Sequence, residues 1–224
     1  MADYRKYSLV SFGSLWYKYF VETNILRVLF KPLQQRNIYL CIMPQYDDKE
    51  LIKLCRNSQT KERGFRILLS QYKERTYWHI RRILLDHEDA NDIVQDTFVK
   101  VWKNLDSFRG DSSLFSWIYR IATNESLNFL RKMKNKSTVP IDKVEYLLVN
   151  KLDNNSLMTG DEIERKLQRS LLELPEKQRL VFNMRYFEDL KYQEISDILG
   201  TSVGGLKASY HHAIKKIEEN LKTD

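Results

Sequence analysis

A polar loop directly precedes a segment crowded with aromatic residues in the stretch FRGDSSLFSWIYRIATN, residues 108–124. Aromatic rings can stack on unpaired nucleobases, and Arg, Ser and Asn side chains can hydrogen-bond to bases and phosphates. The stretch is therefore consistent with a site that binds unstacked nucleic-acid bases. The alternative is an ordinary loop followed by a core helix, because aromatics at helical spacing are usually buried. The Arg-Gly-Asp tripeptide at 109–111 is too short to indicate cell adhesion.

Charge is distributed unevenly on either side of this stretch. Residues 86–96 contain five acidic side chains and no Lys or Arg, whereas residues 131–136 contain four basic side chains and no acid. The first group should repel phosphates and the second should attract them. The net charge of the whole chain is only +7. The location of the charge therefore predicts where nucleic acid binds, and its total does not.

The composition favours a helical protein without a catalytic or metal centre. Gly and Pro number only 7 and 4 in 224 residues, of which 42% are hydrophobic and 30% charged. The two cysteines, Cys41 and Cys55, have no metal-ligand spacing. No nucleophile elbow or phosphate-binding glycine loop is present, so we predict a non-enzyme with no metal site and no cofactor. The histidines also lack metal spacing: His79, His87, His211 and His212.

The same sequence features predict that the chain acts in the cytoplasm. Two cysteines are too few for a disulfide framework. No apolar run reaches the roughly 18–20 residues that a membrane span needs. The first residues lack the continuous apolar stretch of a secretory signal. We therefore expect no membrane insertion.

The apolar pattern divides the chain into four parts. Residues 46–135 carry apolar side chains at three- and four-residue steps, which predicts a helical domain. Residues 136–162 lose this periodicity and are predicted to form a flexible linker to a second helical domain at 163–224. The predicted fold class is all-α, with two small domains. Residues 1–45 form an extension of unclear status: either the working protein begins near Met43, or the extension is a small partner-binding arm.

The C-terminal stretch, residues 190–221, has the pattern of a helix-turn-helix. A short apolar helix must stop at Gly200, which tolerates the left-handed conformation that ends helices. Ser202 can then cap a second helix. Residues 200–217 contain no Asp or Glu, so this helix can enter a major groove without repelling phosphates. The alternative is a helical hairpin with a solvated lysine face.

Two long segments resemble the extracytoplasmic-function sigma factors of bacterial RNA polymerase, which belong to the sigma-70 family. The segment DANDIVQDTFVKVWKNLDSFRGDSSLFSWIYRIATNESLNFLRK is similar to the first module of this family. The segment LPEKQRLVFNMRYFEDLKYQEISDILGTSVGGLKASYHHAIKKIEENL is similar to the second. Their order and spacing match, and the resemblance covers about residues 46–221. It implies a dissociable initiation factor that binds core RNA polymerase, directs it to promoters and helps to melt the minus-ten element.

The resemblance implies roles for matched positions in the first module. In this family an acidic helix docks on the clamp helices of the largest polymerase subunit, and the following loop captures a base flipped out of the minus-ten element. The docking role falls here on Asp89, Asp92, Gln95 and Asp96. The minus-ten contacts fall on the loop and the helix after it: Phe108, Arg109, Gly110, Asp111, Ser112, Arg120, Asn124, Asn128, Arg131, Lys132 and Lys134.

The second module implies contacts to the duplex minus-thirty-five element. These fall on Arg185, Lys191, Ser202, Lys207, Ala208, His211, His212 and Lys215. Gly205 and Lys191 depart from the residues frequent in the family at their positions. Ala208 can contact a thymine methyl group but cannot hydrogen-bond to a base. These departures leave the base preference open.

The implied partners are core RNA polymerase, promoter DNA and an anti-sigma factor, and the free protein is expected to be a monomer. We also expect polymerase to hold the linker extended, so that the isolated chain binds promoters poorly. Three alternatives remain open. The first is a stand-alone helix-turn-helix regulator, which would bind duplex DNA without polymerase. The others are an enzyme with a DNA-binding tail and a purely protein-binding helical adaptor.

Overall fold

The computed structural model describes residues 46–136 and 162–223, and the side chains of residues 46–134 and 166–222. The predicted extension at 1–45 and almost all of the predicted linker therefore lie outside the described residues. All of the regular structure in the described ranges is helical. This confirms the predicted all-α fold with two helical modules, the second of them a helix-turn-helix.

The first module consists of four helices and a short 3-10 turn. They are α1 (Asp48–Arg56), α2 (Lys61–Leu84), α3 (His87–Asn104), the turn Leu105–Ser107 and α4 (Leu114–Lys136). Helix α2 packs against α1, α3 and α4, so it lies at the centre of the module. Its apolar face is buried with those of α3 and α4, which accounts for the three- and four-residue steps in the sequence.

Polar contacts fix the α4 end of the loop that joins α3 to α4. Asp48 on α1 accepts a hydrogen bond from the Tyr72 hydroxyl at 2.6 Å and another from the Leu114 backbone N–H at 3.1 Å. The Ser113 hydroxyl accepts from the Ser116 backbone N–H at 3.1 Å and so caps α4. The loop therefore ends on ordered structure, although its middle is exposed.

The second module contains four further helices. They are α5 (Glu162–Leu172), α6 (Glu176–Phe182), which continues as a π-helical turn (Asn183–Phe187), α7 (Tyr192–Leu199) and α8 (Val203–Thr223). Helix α7 ends at Gly200 with φ 64°, in the left-handed region. The Ser202 hydroxyl accepts from the Gly205 backbone N–H at 3.3 Å at the start of α8. Both features agree with the helix-turn-helix that the sequence predicts.

The two modules contact each other, which the sequence does not predict. Helix α7, the first helix of the helix-turn-helix, packs against α4, and the described helices belong to one compact unit. The contact includes a buried ion pair between His79 on α2 and Glu188, which directly follows the π-helical turn. The sequence instead predicts two domains joined by a flexible linker.

Candidate nucleic-acid and protein-docking interfaces

Helix α3 presents an acidic face to solvent. Asp92, Gln95 and Asp96 are exposed, whereas Asp89 is half-buried near the helix start. The Asp86 carboxylate caps the helix by accepting from the Asp89 backbone N–H at 2.9 Å. The acidic face is thus held rigidly on a helix whose opposite side is packed in the core.

Sequence reasoning missed an apolar side chain beside this acidic face. Val99, one turn after Asp96, has 50% of its surface exposed. An exposed Val next to exposed carboxylates is a useful pairing for protein docking, because charge steers the encounter and apolar area stabilises the contact. The sequence could have indicated that Val99 is exposed, because Val99 falls outside the apolar stripe of α3.

The loop residues are placed differently from one another. Arg109, Gly110 and Asp111 are exposed, Ser112 is half-buried, and Gly110 has φ 83°. Phe108 is only 5% exposed, and its ring centroid lies 5.0 Å from that of Trp117. Its backbone carbonyl accepts a hydrogen bond from the Arg56 guanidinium. Phe108 therefore anchors the loop in this structure, and its predicted role in a base pocket stays a prediction.

A cavity of about 290 Å³ lies beside this loop, between α3 and α4. Trp117 is only partly buried and forms part of its wall. Asn124, predicted to face DNA, also lines it. The other lining residues were not predicted: Lys100, Asn104, Ser107, Ile121 and Glu125. Such a cavity combines an aromatic wall with hydrogen-bonding groups, which are the features that hold a planar heterocycle.

The C-terminal half of α4 carries exposed basic side chains. Arg131, Lys132 and Lys134 are exposed, and Asn128 is half-buried. Arg120 is also exposed but donates from Nε to the Asp197 carbonyl of α7 at 2.9 Å. Arg120 is thus engaged by the second module in this structure.

Helix α8 exposes most of the residues predicted to read duplex DNA. Its opposite side is buried through Leu206, Tyr210, Ala213 and Ile217. Burial and the neighbouring Tyr192 raise the pKa of Tyr210 to about 12, so its phenol stays neutral in the core. The exposed residues are Ser202, Lys207, Ala208, His211, His212 and Lys215.

The two predicted phosphate contacts outside α8 have structural partners. Arg185 donates to the Asp189 carboxylate at 3.1 Å and to the Leu190 carbonyl at 3.0 Å, which ties down the turn before α7. Lys191 is the N-cap residue of α7, and its backbone N–H donates to the Glu194 carboxylate at 2.7 Å. The Lys191 side chain is exposed. Lys191 thus remains open to solvent, whereas Arg185 is half-buried.

The described residues contain neither a metal-binding cluster nor a membrane-spanning helix. No group of three or more His, Cys, Asp or Glu side chains in the described ranges could hold a metal ion. Among the described helices, none is long and apolar enough to cross a membrane.

Comparison with known proteins matches both modules. A family model described as Sigma-70 region 2 matches residues 68–136, and one described as Sigma-70, region 4 matches residues 164–217. The RNA polymerase sigma-H factor of Pseudomonas aeruginosa is 29% identical over 189 residues, covering 81% of this chain and 97% of the relative. The ECF RNA polymerase sigma-E factor of Haemophilus influenzae is 28% identical over 186 residues, covering 80% and 97%.

Two solved structures share the fold. CnrH in complex with the cytosolic domain of CnrY superposes with a TM-score of 0.58 at 22% identity, covering 79% of this chain and 98% of the other. The sigma factor RpoE in complex with the anti-sigma factor NepR from Bartonella quintana gives 0.55 at 23% identity, covering 72% and 99%.

The matches to both sigma modules, in this order along the chain, identify a promoter-specificity factor. The chain belongs to the sigma-70 family, in its extracytoplasmic-function group. Its function is that of a dissociable initiation factor that directs RNA polymerase to promoters. Sigma factors are transcription factors rather than enzymes.

Proposed function

We propose that the three surfaces divide the work of initiation as the family resemblance implies. The acidic face of α3 docks on core polymerase, the loop and cavity take a base of the opened minus-ten element, and α8 reads the minus-thirty-five element as duplex. The observation that supports this most is the separation of charge. Exposed carboxylates lie on α3, while exposed basic groups lie on α4 and α8.

For docking, Asp92, Gln95 and Asp96 supply charge and hydrogen-bonding groups, and Val99 adds exposed apolar surface. These side chains repeat at three- and four-residue steps, so they share one side of the helix. A basic helical partner such as the clamp helices would complement them, and the same acids would keep DNA away from this face.

For the minus-ten element, the cavity between α3 and α4 extends the pocket expected from the loop alone. Its volume of about 290 Å³ lies at the lower limit of small-molecule pockets, which are roughly 300–1,000 Å³. It therefore suits a single base. Flipping a base costs a few kcal/mol, and stacking on an aromatic side chain returns roughly 1–3 kcal/mol. Trp117 provides that aromatic wall, and Arg131, Lys132 and Lys134 would hold the strand by its phosphates.

For the minus-thirty-five element, Lys207, Ala208, His211 and His212 occupy the exposed side of α8 and would meet base edges. Lys215 and Lys191 would contact phosphates. Such phosphate contacts position a protein on duplex DNA without reading its sequence.

The proposal places the protein in the cytoplasm, where polymerase works, and includes an anti-sigma factor as a regulatory partner. The two structural relatives are each bound to a partner protein, named in one case as an anti-sigma factor. An anti-sigma factor here would act by covering the acidic face or the helices that bind DNA.

Run-off transcription on a promoter library with bacterial core polymerase tests the function. We expect specific transcripts only when the chain is added. A gel shift on duplex promoters without polymerase distinguishes an initiation factor from a stand-alone helix-turn-helix regulator. Tight, sequence-specific binding by the isolated chain together with no stimulation of core polymerase would favour a stand-alone regulator.

A further inference from the structure

A buried ionic contact joins the two modules. The Glu188 carboxylate lies 2.9 Å from Nδ1 of His79, and the two side chains are 6% and 1% exposed. The other ring nitrogen of His79 lies 2.8 Å from the Thr123 hydroxyl of α4. That hydroxyl donates to the Tyr119 carbonyl at 2.8 Å, so towards His79 it accepts. In its protonated form His79 donates from both ring nitrogens, and its contact with Glu188 is then an ion pair.

Further contacts surround this pair at the same interface. The Arg82 guanidinium on α2 is 3.8 Å from the Glu188 carboxylate and 5.4 Å from the Phe187 ring centroid. The Asn183 side-chain amide lies 3.5 Å from the Arg82 carbonyl. The π-helical turn of the second module is thus held on the C-terminal half of α2 by charge as well as by packing.

The contact covers part of the face that the proposed function gives to DNA. Helix α7 packs on α4, and Arg120, a predicted phosphate contact, instead donates to the Asp197 carbonyl. While this bond persists, the Nε edge of the Arg120 guanidinium is occupied and cannot be offered to a phosphate. The closed arrangement and the minus-ten contacts therefore compete for the same side chain.

The closed arrangement also cannot span a promoter. Packed helices lie about 8–10 Å apart, and α7 contacts both α4 and α8. The two promoter elements are separated by about two turns of DNA, roughly 70 Å. Helix α8 therefore cannot lie in the minus-thirty-five groove while α4 holds the minus-ten strand, unless the interface between the modules opens.

The chemistry of the interface suits repeated opening. Two buried charges lose their hydration when they pair, so a buried ion pair fixes a geometry without adding much net stability over an apolar contact. Domains of one chain are expected to move relative to one another unless their interface is large and hydrophobic, and this interface includes a charged contact. Removing one charge of the pair leaves the other buried and uncompensated, which favours the open arrangement.

We propose that the His79–Glu188 pair is a latch that holds the free chain closed and must open before both promoter elements can be engaged. The promoter part of this inference rests on the proposed function, whereas the closed state of the free chain does not. Small-angle X-ray scattering of the purified full-length chain reports that closed state directly, as a small radius of gyration. Promoter binding without polymerase reports its consequence.

The variants are Glu188→Gln, His79→Gln and their combination, with Glu218→Gln as the matched control. Glu218 is an exposed acid on α8, so its change removes the same charge without touching the interface. We expect each interface variant to raise the radius of gyration and to tighten promoter binding by the free chain about tenfold, because a larger fraction is competent to bind. The double variant should open less than either single variant, since it leaves no buried charge uncompensated.

Far-UV circular dichroism and thermal unfolding identify the variants that fold. If Glu188→Gln does not fold, the test is made with His79→Gln, which changes only the first module. Folded interface variants that match the wild type in both readouts would overturn the latch, as would a wild-type chain that is already expanded. Failure of the wild type to activate core polymerase would defeat the proposed function while leaving the scattering result to decide the latch.

Discussion

Lys100 on α3 and Glu125 on α4 form an ion pair, with 2.5 Å between Nζ and Oε1, and both residues line the cavity beside the loop. The Glu125 side chain is 16% exposed and that of Lys100 is 48% exposed. The carboxylate is thus the more enclosed partner. It can accept a hydrogen bond from any base that presents an exocyclic amine to the cavity.

Glu125→Gln is therefore expected to change the base preference at one minus-ten position. A carboxylate only accepts hydrogen bonds, so it favours the bases with an exocyclic amine over thymine, whereas an amide also donates and discriminates less. A lost base contact of this kind costs about 1–3 kcal/mol of discrimination. Transcript yields from a library randomised over the minus-ten element measure the change. Glu50→Gln, an exposed acid on α1, is the control and should leave the preference intact. An unchanged preference in Glu125→Gln would remove Glu125 from the pocket.

The combined change Asp92→Arg and Asp96→Arg is expected to abolish initiation without unfolding the protein. Both side chains are exposed, so the substitutions leave the core intact while placing positive charge against a basic partner surface. Run-off transcription with core polymerase measures the loss, and thermal unfolding confirms the fold. Glu74→Arg, an exposed acid on α2, makes a comparable charge change and should transcribe normally. Normal transcript yield from the Asp92/Asp96 variant would contradict the docking assignment.

On α8, Lys215→Ala and His211→Ala are expected to have different effects. Loss of a phosphate contact weakens binding on every sequence. It also reduces by about one the slope of the logarithm of the binding constant against the logarithm of the salt concentration. Loss of a base contact relaxes sequence preference at one position. Holoenzyme binding to minus-thirty-five variants over a range of salt distinguishes the two. Lys177→Ala, at an exposed lysine of α6, should do neither. If His211→Ala weakened binding equally on every DNA sequence, His211 would contact the DNA backbone and not a base.

The contact between the modules is expected to weaken in acid. Burial alone would raise the pKa of Glu188, but the charges of His79 and Arg82 outweigh it, and the pKa lies below its ordinary value of 4.5. Tyr119 of α4 also faces this carboxylate. Because the pKa of Glu188 is lowered in the folded state, the stabilisation that comes from ionising this carboxyl group is complete above pH 4.5 and is lost as pH falls through the folded-state pKa.

The radius of gyration should therefore rise below pH 4.5 in the wild type at a pH where each module remains helical. Glu188→Gln should show no such step, since it has no carboxyl group to protonate at this position. A step of the same size in both proteins would assign the acid transition to other groups.

Two glycine substitutions are expected to change stability in opposite directions. Gly64 lies where α2 meets α1, and a Cβ there would come within 2.9 Å of the Cys55 backbone N. Gly64→Ala should therefore destabilise the fold by about 1–3 kcal/mol through overpacking. Gly204 on α8 has open space around it, so Gly204→Ala should stabilise by up to about 1 kcal/mol. Urea unfolding measures both, and a stabilised Gly64→Ala would show that α1 can move away.

The helices and the helix-turn-helix could be predicted because their signals are local. Gly200 and Ser202 act within one turn of their own positions, and the apolar steps of α2 and α3 report only which side is buried. The placement of Phe108 could not be predicted in this way. Its burial depends on Trp117 and on the Arg56 guanidinium, which comes from α1, 52 residues earlier in the chain.

The cavity and the contact between modules were missed for the same physical reason. Lys100 and Glu125 each occur in an ordinary helical sequence and form a site only when α3 packs on α4. His79 and Glu188 are 109 residues apart, and neither has an unusual neighbour in sequence. The spacing of apolar residues shows which side of each helix is buried, but it does not show which other helix packs against that side.

Association with core polymerase tests the central claim most directly. The purified wild-type chain should comigrate with bacterial core polymerase in size-exclusion chromatography at moderate salt, and the Asp92/Asp96 double arginine variant should not. Absence of wild-type association with the catalytic subunits under these conditions would contradict the account.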